Sequence, residues 1–482
     1  MELPERRADD AAGGEAVPDL VTPLEPDAAE MRALVDAAMK HIVAHIESLP
    51  SQRAINIDGA TERARELIEP LPRQGTSYET LLDFLFSEAI PRSFNAAGPG
   101  YLAYVPGGGL FHSAVADLIA NAVNRYVGVC AAAPLLVQLE ANVVRWFCEI
   151  VGYGVGSGGV LTSGGSLANF TAIVTARKAL LPDDFLRGTL YCSEQIHHSF
   201  QKAANLAGFP YANIRELPVD EQFRICVDAL EEAIERDRRD GWTPFLIAGS
   251  AGTTGTGAVD DLPKLARVAR ANAMWFHVDG AYGALFAMTE RGRAALRGMS
   301  EADSIILDPH KTLFLPFGTG AVVVRDARTL RRAHSLHAEY LPEMQSADEL
   351  VDFCEISPEL SRDFRGLRVW LPLKMFGIEP FLEQLDEKLD LIAFAIEELQ
   401  KIDGIEIVAA PQLTITAFRL RGDDEVNRRL LAAINAKGRV MLTPTTLDGR
   451  FVIRIAIVSH RTHRERVEML IEDIRAAVTE VG

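Results

Sequence analysis

Three short polar segments carry residue types that catalysis needs, and each follows a run of β-forming residues. The first is Thr-Ser-Gly-Gly-Ser at 162–166, directly ahead of a helical pattern. Gly164 and Gly165 allow a tight turn, and the unpaired N–H groups of a helix N-terminus attract an anion. Ser166 adds a hydroxyl donor and can cap the helix. The same residues suit a plain capped turn, so this segment decides nothing alone. The second is His-Val-Asp-Gly-Ala-Tyr at 277–282. Asp279 ends a hydrophobic run, where an acid is costly without a cation, a donor network or a ligand. The third is Asp-Pro-His-Lys at 308–311, with Lys311 a candidate amine nucleophile. Singly, Asp279 and Lys311 also fit a buried or rim salt bridge. Together the three segments supply a phosphate site, a pyridinium partner and a Schiff-base amine.

The elements that must position these residues read as alternating strand and helix from about 157 to 325. Seven β-rich runs lie at 159–162, 189–192, 213–217, 245–250, 274–279, 304–308 and 320–325. Helical runs at 166–180, 198–207, 227–239 and 261–272 fall between several of them. Such alternation predicts an α/β fold with a mainly parallel sheet, whose ligands sit beyond the carboxyl ends of the strands. A Gly-x-Gly-x-x-Gly pattern at Gly154, Gly156 and Gly159 precedes a strand, and a dinucleotide fingerprint must follow one.

Upstream, 27–48 and 76–92 have helical patterns, the first with Met31, Leu34, Val35, Ala38 and Ile42 on one stripe. Downstream, a long helical pattern starts near 365, 413–420 and 451–457 alternate like antiparallel strands, and 462–480 is a last helix. A chain of 482 residues exceeds what one core usually organises. The expected division is a flexible leader at 1–25, a helical arm at 26–95, a large domain at 96–375 and a small α+β domain at 376–482.

The formal charge of −18 argues against non-specific binding to nucleic acid or anionic membranes. Five scattered cysteines form no Cys-x-x-Cys pair, which reads as a reduced, cytoplasmic chain. The N-terminus lacks the apolar run of a signal peptide, and no stretch approaches a membrane span. His41 and His45 stand four apart on a helix, but no third ligand is near in sequence, so no metal is expected. Cys354, where a thiol would serve a desulfurase, reads better as a small buried or loop residue.

The Ser-Gly-Gly-Ser, His-Val-Asp-Gly-Ala-Tyr and Asp-Pro-His-Lys segments, in this order and spacing, resemble those of the group II pyridoxal-phosphate decarboxylases, which include the aromatic-L-amino-acid, histidine and glutamate decarboxylases. The resemblance runs from about 75 to 375 and implies the type I pyridoxal-phosphate fold, a seven-stranded mixed sheet in a homodimer. It implies that Lys311 is the Schiff-base lysine and that Asp279 keeps the pyridine nitrogen protonated. Ala281 matches the small residue beside the ring, His197 the histidine stacked on the cofactor and Thr254 the threonine near it. Gly164, Gly165 and Ser166 match the phosphate end, with His310 a phosphate or carboxylate contact. Asp308 departs from the Asn of some animal members, and an acid there would repel a phosphate. Tyr340 matches the loop tyrosine that protonates the product carbon, where Phe goes with aldehyde formation. Tyr104, Val105 and Pro106 match a pocket wall, and Tyr126 and Gly128 match residues lent by the partner subunit. Apolar and aromatic walls suit an aromatic substrate. The implied reaction is decarboxylation of an amino acid to its amine through a Schiff base and a quinonoid. Aldehyde synthesis, desulfuration, a non-aromatic substrate and a non-catalytic binding protein on the same fold stand as alternatives.

Overall fold

The structure is a computed structural model that describes residues 24–335 and 351–481. The described residues divide into two compact units, one holding those up to Ser48 with Glu62–Arg92, the other Leu49–Thr61 with those from Ser93 onward. In the first unit, the helix Ala28–Ser48 buries none of its residues, and Met31, Leu34 and Val35 of its apolar stripe stay exposed. Ser77 caps the helix Tyr78–Phe84 by accepting from the Thr80 N–H, and a π-turn, Leu85–Ala89, continues it. His41 stacks on Phe86 with ring centroids 5.1 Å apart.

The second unit is built on a seven-stranded sheet. Its strands are β1 (Gly158–Thr162), β2 (Gly188–Ser193), β3 (Ile214–Leu217), β4 (Thr243–Ser250), β5 (Trp275–Asp279), β6 (Ser304–Leu307) and β7 (Gly320–Val324). Their order is β1-β7-β6-β5-β4-β2-β3. The pairs from β6 to β3 are parallel, whereas β7 runs antiparallel to both β6 and β1. The sheet is therefore mixed. A parallel return needs a long crossover, and the stretch from β6 to β7 holds just a four-residue helix, Pro309–Thr312. β1 to β6 all end at one edge, and β7 starts there.

The strands are buried along nearly their whole length, so both faces must be covered. Helices do this, among them Gly165–Leu180, His198–Leu206, Val227–Arg239 and Leu262–Ala271. Two helices absent from the sequence reading, Phe111–Val123 and Pro134–Ile150, join the main core; Val137, Val143 and Phe147 of the second are fully buried. The long helical pattern after 365 is two helices, Gly366–Phe376 and Glu379–Gln400, parted at Gly377, whose φ is +72°. The C-terminal part carries an antiparallel sheet of β8 (Ile405–Ala409), β9 (Ile415–Leu420), β10 (Thr443–Leu447) and β11 (Arg450–Ala456), in the order β10-β11-β9-β8. The last helix is Arg464–Val481.

Candidate active site

The carboxyl edge of the large sheet opens into a cavity of about 520 Å³. Five of the strands that end at this edge contribute, β3 being the exception. The loop after β1 brings Gly164, Gly165 and Ser166, that after β2 brings His197, and that after β4 brings Thr254. Asp279 and Ala281 come from the end of β5, and Asp308, His310 and Lys311 follow β6. Tyr104 and Val105 form another part of the wall.

At the head of the Gly165–Leu180 helix, Gly164 takes the N-cap position at φ +149°, a conformation that side chains rarely adopt. Among the described residues no side chain caps this helix, so Ser166 does not cap it as its type suggests. The loop is pinned instead by Thr162, whose Oγ1 donates to the Gly164 carbonyl at 3.1 Å. A Cβ added at Gly165 would lie 3.1 Å from Asp308 Oδ2 and 3.3 Å from the Ala281 Cβ. Glycine therefore keeps this helix start open to an anion.

Asp279 is only 8 % exposed and faces the cavity. Its Oδ1 accepts from the Ala281 N–H and its Oδ2 from Asn169 Nδ2, both at 3.2 Å. Lys311 Nζ stands 3.0 Å from Asp308 Oδ2, so the acid at 308 is an ion-pair partner of the lysine. His310 Nδ1 lies 2.6 Å from the Thr319 carbonyl, and burial lowers the pKa of this imidazole. His197 Nδ1 accepts from the Ser199 N–H, and burial lowers its pKa too, against the opposing pull of Asp279.

These groups suit pyridoxal phosphate by the chemistry of the donor set: a carboxylate to accept from the ring nitrogen, an amine, and an open helix N-terminus for the phosphate. Among the described residues Asp308 Oδ1 has no hydrogen-bond partner, and the carboxylate is matched in charge by Lys311.

Not every expected residue reaches the cavity. Pro106 is buried outside its lining, although its neighbours Tyr104 and Val105 form part of the wall. Tyr126 lies elsewhere, its hydroxyl donating to the Leu360 carbonyl at 2.9 Å. Tyr340 lies outside the described residues. The sequence reading passed over Ser199, Ser250 and Thr253, which line the cavity, and Asn169, which stands behind it. It also missed Arg454, whose guanidinium donates to the carbonyls of Gly255 and Tyr104 and to the Thr443 hydroxyl. Burial among these neutral partners lowers its pKa to about 10. Cys354 is buried, and its thiol is pushed up to about 11, unlike a reactive nucleophile.

Comparison with known proteins agrees with this geometry. Residues 94–421 match the pyridoxal-dependent decarboxylase conserved domain. The aromatic-L-amino-acid decarboxylase of Bacillus atrophaeus is 34 % identical over 95 % of this chain and 98 % of its own length. Tryptophan decarboxylase 2 of Oryza sativa is 28 % identical over 86 % of this chain and 88 % of its own. The crystal structure of the Oryza sativa enzyme TDC with PLP and tryptamine superposes with a TM-score of 0.90 at 27 % identity, covering 95 % of this chain and 99 % of that one. The chain belongs to the pyridoxal-dependent decarboxylase family, and it is a carboxy-lyase that uses pyridoxal 5'-phosphate to decarboxylate an amino acid.

Proposed function

We propose that the substrate is an aromatic L-amino acid, converted to its amine and CO2, with Lys311, Asp279, His197 and Tyr340 as the catalytic residues. The observation that carries the assignment of roles is the convergence of Asp279, Lys311 and the Gly164–Ser166 helix start on one cavity. When bound, the cofactor supplies an electron sink for the bond to the departing carboxylate. Asp279, with each oxygen already accepting one hydrogen bond, is oriented to keep a proton on the ring nitrogen. Lys311 Nζ would be the amine that holds the cofactor. Gly164, Gly165, Ser166 and His310 would hold its phosphate end, and Ala281, Thr254 and His197 would bind its ring. Tyr340 Oη delivers the proton to the product carbon.

The aromatic reading is supported by relatives named for aromatic substrates and by Tyr104 and Val105 in the wall. Pro106 would support that wall from behind, and Tyr126 would serve a partner's cavity. A homodimer is supported by apolar side chains left exposed: Leu118, Ile119 and Val123 on one helix, Leu135 and Phe317 nearby in sequence or at the site loop. A cytoplasmic location is supported by five cysteines, none in a disulfide. Among the described residues, no helix is long and apolar enough to cross a membrane.

The test is release of amine, CO2 and aldehyde from each of the twenty amino acids and dihydroxyphenylalanine. Amine and CO2 from aromatic substrates, without aldehyde, is the expected result. Turnover confined to acidic or aliphatic substrates would overturn the specificity, and aldehyde as main product would overturn the role of Tyr340.

A further inference from the structure

Behind the cavity a chain of buried side chains ends on two residues of the site. Trp275, His277 and Asp279 alternate along β5 and so share one face of it. Ser304 of β6 stands in register with His277, and Asn169 comes from the Gly165–Leu180 helix. Trp275 Nε1 donates to Ser304 Oγ at 2.8 Å, and Ser304 Oγ lies 2.8 Å from His277 Nδ1. His277 Nε2 lies 2.9 Å from Asn169 Oδ1. Asn169 Nδ2 then reaches Asp279 Oδ2 at 3.2 Å and Ser199 Oγ at 3.1 Å. Ser199 Oγ lies 2.7 Å from His197 Nδ1.

Chemistry gives each bond its direction. A carboxylate only accepts, so the Asn169 NH2 group faces Asp279 and its oxygen faces His277. His277 must then donate from Nε2, which leaves Nδ1 to accept from the Ser304 hydroxyl. Burial lowers the pKa of His277 to about 4, so the ring is neutral near pH 7, as this pattern requires. At the other branch, the Ser199 N–H points at His197 Nδ1, which makes that nitrogen an acceptor and puts the proton on Nε2. Asn169 thus spends its two N–H bonds on two site residues.

Resting on the roles assigned above to Asp279 and His197, we propose that Asn169 is a positioning residue that ties the two into one buried assembly, fixing the Asp279 carboxylate and aiming the Ser199 hydroxyl at His197 Nδ1 as a second donor beside the Ser199 N–H. His277 and Ser304 orient the Asn169 amide, and Ser199 passes the constraint to His197.

The test uses full-length holoenzyme labelled with 15N in its histidine rings, with His197 identified by the signals missing in His197→Gln. The parent should show a protonated Nε2 and a bare Nδ1 at His197. Ser199→Ala removes the hydroxyl donor but keeps the backbone N–H at His197 Nδ1, so the Nε2–H tautomer should persist while the Nδ1 signal moves from its parent position, with cofactor affinity within about twofold because Asp279 is untouched. Asn169→Ala should also move the Nδ1 signal and weaken cofactor binding about tenfold, the scale of a lost outer hydrogen-bond partner. His277→Gln keeps a donor toward Asn169 and should bind cofactor like the parent, whereas His277→Leu should lose about as much as Asn169→Ala. If Asn169→Ala does not fold, Ser199→Ala decides the claim on His197 and the His277 pair decides the claim on Asp279. Unchanged His197 signals in Ser199→Ala, or cofactor affinity equal in His277→Gln and His277→Leu, would overturn the proposal. The reading at His197 needs no turnover, so it fails or stands independently of the substrate assignment.

Discussion

At the scale of single residues, the site rests on a lysine and an acid that the sequence places at neighbouring strand ends. Lys311 sits 3.0 Å from Asp308 and opens on the cavity. Borohydride reduction of the yellow holoenzyme should therefore fix the cofactor to one peptide, the one containing Lys311. Label on Lys264 or Lys374 would refute the assignment. Lys311→Ala should abolish turnover and also lower the melting temperature, because it leaves the buried Asp308 carboxylate without its cation. For Asp279→Asn the shape is kept and the charge is lost. A few kcal/mol of transition-state stabilisation should go with it, a rate loss of roughly a thousandfold. Turnover near the parent rate in that variant would remove Asp279 from the mechanism. Both residues were legible because their chemistry stands out against an apolar run. Asn169 and Arg454 were not, because an Asn inside a helix and an Arg inside a strand have many ordinary readings, and only the fold shows what they face.

At the scale of elements, the seven strands of the large sheet were legible from short β-branched runs, while β8 and β10 were not. Ile405–Ala409 is only half-buried for most of its length, and Thr443–Leu447 carries Pro444 and three threonines. Neither presents the apolar run that marks a core strand. The direction of β7 could not be read from its composition either, because parallel and antiparallel buried strands look alike in sequence. Its placement matters to the site. Gly320 opens β7 opposite Thr162, and a Cβ there would lie 2.6 Å from Asp308 Oδ1 and from the Gly164 backbone. Gly320→Ala should consequently push the Gly164 loop and Asp308 apart. A cost of about 1–3 kcal/mol in the urea midpoint, typical of overpacking, is expected together with weaker cofactor binding. An alanine variant that matches the parent in both would show that the loop yields freely.

At the scale of the whole molecule, the proposed homodimer can be tested by mixing subunits. Chains inactivated by Lys311→Ala, mixed with chains damaged at Tyr126, should regain activity in heterodimers if each cavity draws on both subunits. An active monodisperse monomer in solution would refute this.

The whole molecule also sets the response to acid. His277 and His334 have pKa values lowered to about 4 and His460 to about 3, in each case mainly by burial. A histidine whose folded pKa lies below its unfolded value of about 6.5 binds more protons when unfolded, so stability falls as pH drops through the window between the two. For His277, which is fully buried, the loss is on the order of 3 kcal/mol between pH 6.5 and 4. Asp260 works the other way. Burial raises its carboxyl to about 6, so it takes up a proton in the folded state first, and acid relieves its strain from pH 6 downward. Burial raises Asp303 as well, and five histidines, His197 and His310 among them, oppose these two carboxylates. Carboxylates held low by arginine or lysine, such as Asp326 and Glu398, add their own loss at still lower pH. The urea midpoint should therefore decline between pH 6.5 and 4, before the paired carboxylates titrate, and His460→Gln should make that decline shallower. A midpoint that holds constant down to pH 4 would mean that these imidazoles reach water in the folded protein.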